Sequence, residues 1–74
     1  MKAYIDPNTS RGGSGWYADV VTEQDYWERG AFAFSHRTRV FPNRRLAELA
    51  AVQWAKENAI ELVPDAEGLS RRMT

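Results

Sequence analysis

The chain contains no cysteine and a single histidine. The first absence removes a disulfide framework, a thiolate nucleophile and any cysteine-ligated zinc. With His36 alone, a histidine-dependent nucleophile system has no support, and alternation places that residue beside Phe32, Phe34 and Val40 as a core or edge side chain. No apolar run approaches the roughly 18–20 residues of a membrane span. The opening Met1-Lys2-Ala3-Tyr4-Ile5-Asp6 lacks a signal-peptide core, so a cytoplasmic chain with no membrane partner is expected. Gly12-Gly13-Ser14-Gly15 is followed by neither Lys-Ser/Thr nor a helix, which excludes a phosphate loop and leaves a hairpin connection. The formal charge sums to zero over 74 residues, which argues against a generic polyanion binder.

What is present suffices for one small domain. Apolar residues make up 43% of the chain, with three each of Trp, Tyr and Phe, enough for a core but near the lower size limit for one. The neutral sum hides segregation. Residues 19–28 carry Asp19, Glu23, Asp25 and Glu28 without a base, and residues 36–45 carry Arg37, Arg39, Arg44 and Arg45 without an acid. Opposed patches of this kind suit self-association, or docking of an acidic partner on the arginines.

Local patterns predict the elements. Lys2–Asp6 reads as a strand, and residues 7–15 as a loop rich in turn-forming residues. Trp16–Thr22 alternates, with β-branched and aromatic content, and reads as a second strand. Glu23–Gly30 reads as a polar connection carrying Tyr26 and Trp27. Ala31–Phe41 reads as a third strand, with Phe32, Phe34, His36, Thr38 and Val40 on one face and Ala33, Arg37, Arg39 and Phe41 on the other. Pro42-Asn43 then starts a helix over about Arg44–Asn58, with Asn43 as N-cap. Its apolar residues cover most of its circumference, so it wants cover on more than one side. Ala59–Val63 reads as a fourth strand. Residues 1–65 form the predicted domain, and 66–74 a polar tail.

Glu48 lies on an alanine-rich helix stripe with Ala51, Val52, Ala55 and Ala59, where a carboxylate losing water needs a partner, a proton or a metal ion. Asp6 and Asp65 fall at or just after predicted strand ends. With Tyr4-Ile5-Asp6, the loop Arg11 to Gly15, the strand Trp16–Val21, Asn43 with Ala47-Glu48-Leu49-Ala50-Ala51, and Ile60–Asp65, the chain resembles the first half of the ribonuclease H fold. That resemblance implies metal binding by Asp6, Glu48 and Asp65, with two Mg²⁺ or Mn²⁺ ions cleaving a phosphodiester. It covers about half of that family's domain, and Pro7 stands where the family has Gly. Small standalone bacterial and phage domains of β-β-β-α-β order are similar too, and imply no chemistry. Each acid also has an ordinary role, as a turn residue (Asp6, Asp65) or as a helical partner of Arg44 or Arg45 (Glu48).

The expectation is an α+β domain: a three-stranded antiparallel meander, one packed helix and a short fourth strand, in the order β-β-β-α-β. The favoured function is a non-catalytic interaction module, with no cofactor, that binds nucleic acid or an acidic protein through Arg37, Arg39, Arg44, Arg45 and Phe41. It is expected to form a homo-oligomer, with Tyr26, Trp27 and Trp54 as interface residues. The alternatives are a metal-dependent nuclease of ribonuclease H type completed by a second chain, and a phage-type inhibitor of a host nucleic-acid-binding protein.

Overall fold

A computed structural model describes residues 1–29 and 33–69. It is α+β, a four-stranded mixed sheet with one main helix across it. The elements are β1 (Lys2–Thr9), β2 (Trp16–Thr22), α1 (Glu23–Arg29), β3 (His36–Arg37), α2 (Arg44–Glu57) and β4 (Glu61–Leu62), with 3₁₀ turns at Arg11–Gly13 and Ala66–Gly68. The sheet order is β3-β2-β1-β4. β1 pairs antiparallel with β2 from Ala3↔Thr22 to Thr9↔Trp16, and parallel with β4 at Lys2↔Glu61 and Ala3↔Leu62. Its parallel partner therefore arrives only after α2 has crossed one face of the sheet.

Strand alternation sorts the residues of β1 and β2 onto two faces. Ala3, Ile5, Trp16, Ala18 and Val20 face α2, which presents Ala47 and Ala51 to them; Ala55, one turn further on, is also fully buried. Small side chains on both layers let the helix lie close to the strands. Phe41, Trp54, Ile60 and Leu62 close the margins of this core.

Both ends of α2 are capped. Asn43 accepts a hydrogen bond from the Leu46 amide at 3.0 Å, as its position before the helix predicts. At the other end the Ala59 and Ile60 amides donate to the Lys56 and Ala55 carbonyls at 3.2 and 2.9 Å. That is the Schellman arrangement, and it holds Ala59 at φ 55° where glycine is the usual occupant.

Local expectations are corrected at several points. β1 runs on to Thr9, past the expected end at Asp6, and β4 covers only Glu61–Leu62 of the expected Ala59–Val63. The connection after β2 is a helix, α1, because Thr22 and Asp25 form a reciprocal cap. The Asp25 amide donates to Thr22 Oγ1 and the Thr22 amide to Asp25 Oδ2, each at 3.1 Å. The third strand shrinks to His36–Arg37, and residues 31 and 32 of the predicted strand lie outside the described residues. Its register explains the shortening. His36 and Arg37 oppose Val20 and Asp19, yet Phe41 bridges Trp16, so three residues (38–40) face two (17 and 18) in a β-bulge. Thr38 fills the gap, since its Oγ1 takes the Ala18 amide at 2.9 Å and donates to the Arg39 carbonyl at 2.8 Å. The bulge swaps the faces beyond it: Phe41 joins the core side, while Val40 is exposed. The domain also runs past residue 65. Leu69 is 3% exposed, and Gly68 lies so close to Val63 that a Cβ there would meet it at 2.8 Å. Residues 70–74 of the predicted tail lie outside the described residues.

Candidate functional site

One end of the sheet gathers the β1–β2 loop, the bulge after β3 and the start of α2. The loop is closed by the Ser10 amide on the Gly15 carbonyl at 2.8 Å, and its turn needs the positive φ of Gly12 (83°) and Gly13 (70°). Gly15 seats this loop against the bulge: a Cβ at that position would meet the Phe41 carbonyl and Val40 at 2.6 Å each. Trp16 and Phe41 then exchange both backbone hydrogen bonds, at 2.8 and 2.7 Å.

Around this pair the charges have one sign. Residues 7–18 and 38–47 contain Arg11, Arg39, Arg44 and Arg45 and no acid. The Arg39 guanidinium lies 4.4 Å from the Phe41 ring centroid, and that of Arg44 lies 5.9 Å from Trp16. All four arginines are exposed. Glu48 accepts from Arg44 Nε at 3.1 Å across one helical turn, while Asp19, three residues past Trp16, leaves the opposite face of the sheet. Sequence reasoning found Arg39, Arg44, Arg45 and Phe41, but overlooked Arg11 and Trp16. The Arg11-to-Gly15 turn beside an aromatic strand start was the available signal.

Arg37 does not belong to this surface. It projects from the opposite face of the sheet and donates to both carboxylate oxygens of Asp19, from Nε at 2.7 Å and Nη2 at 3.0 Å. Its guanidinium also lies over the rings of Tyr17 and Phe34, at 4.6 and 4.2 Å. The Asp19 hydrogen bond raises its pKa despite partial burial. Such a bidentate, stacked arginine is spent internally. Phe34 thus joins Arg37's face, contrary to simple alternation.

The acidic segment divides in the same way. Asp19 is consumed by Arg37, and Asp25 is 3% exposed. Burial pushes the Asp25 pKa up. Hydrogen bonds from Ser35 Oγ (2.6 Å) and Thr22, with Arg29 at 3.3 Å, outweigh that and hold it below the usual carboxylate range. Only Glu23 and Glu28 of that run remain near the surface, and Glu23 accepts from the Lys2 amide at 2.9 Å.

The three proposed metal ligands are not brought together. Asp6 opposes Asp19 on the face away from α2, in a polar cavity of about 290 Å³ shared with Asn8, Tyr17 and Arg37. Glu48 lies on the helix side, bordering a separate groove of about 290 Å³ with Ile5, Val52, Leu62, Val63 and Pro64. Asp65 caps the last 3₁₀ turn by accepting from the Glu67 amide at 3.0 Å. Among the described residues, no three His, Asp or Glu side chains form a group that could hold a metal ion. Two-residue alternation on β1 is the physical reason, since Ile5 points to the helix and Asp6 away from it.

The expected interface aromatics have intramolecular partners. Trp54 packs on the core and stacks on His36 with ring centroids 4.5 Å apart. Tyr26 and Trp27 meet edge to face at 5.7 Å, and Trp27 Nε1 donates to the Leu69 carbonyl at 3.1 Å. Trp27 remains 45% exposed above a cavity of about 410 Å³ that Met1, Glu23 and Glu28 also line. On the outward face of α2, Leu46 and Leu49 are 41% and 51% exposed. Among the described residues no helix is long and apolar enough to cross a membrane. No protein-family model, curated protein or solved structure matches the chain.

Proposed function

We propose that this chain is a small non-catalytic interaction module that docks an acidic partner on its arginine-bearing end. The observation that carries the reading is four exposed arginines around the Trp16–Phe41 bridge, two of them with guanidinium groups over its rings. In a chain of zero net charge, such an end orients an approaching polyanion, because the local field differs from the molecular sum. Arginine fits the task, since its planar fork binds carboxylate or phosphate by paired hydrogen bonds. Exposed Leu46 and Leu49 add an apolar strip, and self-association through it is part of the proposal.

A metal-dependent nuclease would require Asp6, Glu48 and Asp65 to share ions, a reading less supported because Asp6 leaves the sheet on the face away from α2, which carries Glu48.

The test is binding of a labelled inorganic polyphosphate, followed by anisotropy at 50 and 200 mM salt. Binding should weaken at least tenfold over that range, and Arg39→Ala with Arg45→Ala should weaken it further at low salt. Salt-independent binding, or a double variant indistinguishable from the parent, would remove the proposal. Light scattering tests the second part: Leu49→Lys should leave a monomer where the parent associates.

A further inference from the structure

We infer that the acidic partner is a single-stranded nucleic acid, read through its phosphates and through stacking of unpaired bases. The inference rests on the reading that the arginine-bearing end docks an acidic partner, and narrows it. Three observations separate a nucleic-acid strand from an acidic protein surface.

The first is the choice of cation. Every basic residue at this end is arginine, while the two lysines, Lys2 and Lys56, lie at the other end of the sheet and helix. Lysine would serve an acidic protein surface as a point charge. Arginine adds a flat, weakly hydrated face that stacks on a base while its edge holds a phosphate.

The second is the pairing of guanidinium with aromatic ring. Arg39 lies over Phe41 and Arg44 over Trp16, and the two rings sit on directly bridged residues. This gives two adjacent layered steps of ring and cation, each able to extend its stack by one more flat group. Base stacking on aromatic or guanidinium planes, beside a positive groove, is how sequence-tolerant single-strand binders work. A duplex keeps its base faces inside and cannot use these steps.

The third is the backbone. Gly15 seats the loop directly against the bulge, where a Cβ would meet the Phe41 carbonyl and the Val40 side chain at 2.6 Å each, so the segment that carries Arg11 meets the one that leads into Arg44 and Arg45. Cations gathered from two chain segments beside a stacking step suit a strand whose charges lie outside its bases.

The experiment compares four labelled probes of similar charge: oligothymidylate, a duplex of the same length, inorganic polyphosphate and polyglutamate. Oligothymidylate should bind at least tenfold more tightly than the other three. Its log K should fall with log salt at a slope of about −2 to −3, for three to four phosphates contacted at roughly −0.7 each. Phe41→Leu, which keeps an apolar side chain at the core margin, should erase most of that advantage while leaving polyphosphate binding within twofold. A thermal melt confirms that this variant is folded, and Trp16→Phe serves in its place if it is not. Arg45→Ala, on an exposed helix position, should weaken all binding. Equal affinity for every polyanion would overturn the single-strand inference and keep the acidic-docking reading. Binding of polyglutamate alone would likewise overturn it in favour of a protein partner. Binding of none would overturn both.

Discussion

Replacing Asp25 by alanine should cost this small domain a large share of its stability. The carboxylate accepts from the Thr22 amide and the Ser35 hydroxyl, at 3.1 and 2.6 Å, and pairs with Arg29 at 3.3 Å. Loss of the Ser35 hydrogen bond costs about 1 kcal/mol, and a buried donor left without an acceptor about 1–3 kcal/mol. The Thr22 amide is such a donor, because Thr22 is 2% exposed. The sum, about 2–4 kcal/mol, compares with a total of roughly 4–11 kcal/mol for a domain of this length. At about 4–8 °C per kcal/mol, the melting temperature should fall by more than 8 °C. Urea unfolding followed by tryptophan fluorescence measures the loss directly. The effect also has a pH signature. The folded pKa of Asp25 lies below its unfolded value of about 3.9, so its contribution is fully present above that pH and disappears as pH falls through the folded pKa. The gap between parent and Asp25→Asn should therefore narrow below about pH 4. A loss under about 0.5 kcal/mol for Asp25→Ala, a surface-like value, would refute the reasoning.

Two further substitutions probe the backbone. Ala59→Gly should stabilise the fold by about 1 kcal/mol, because it relieves a left-handed alanine at an exposed position, and urea midpoints would show it. Thr38→Val should destabilise by about 1–3 kcal/mol by orphaning the Ala18 amide at the bulge, and should speed hydrogen exchange at Ala18.

Much of the architecture was legible in the residues. The boundaries of β2 and the start of α2 followed from alternation and from Asn43, and the α+β arrangement followed from them. The α1 helix was hidden because Thr22 and Asp25 cap it from within what looked like a charged linker, although their three-residue spacing was a readable cue. The bulge was not legible. A single hydroxyl, that of Thr38, replaces a ladder acceptor there, and nothing in local hydrophobicity marks it. That unread shift moved Phe41 across the sheet and gave the arginine surface a different membership. Charge runs marked where arginines fall along the chain, but not which were neutralised. Asp19 finds Arg37 only once β2 and β3 are in register. The carboxylate trio was dispersed for a related reason: Asp6 lies inside β1 and not at its end, and alternation sends it to the face away from α2.

The most direct test of the account is a map of backbone amide shifts by NMR as oligothymidylate is added. Shifts should concentrate in residues 11–16 and 39–47, with residues near Trp27 and Glu28 undisturbed. Shifts confined to the Trp27 end, or to the outward face of α2 around Leu49, would contradict the assignment of the arginine-bearing end as the binding surface.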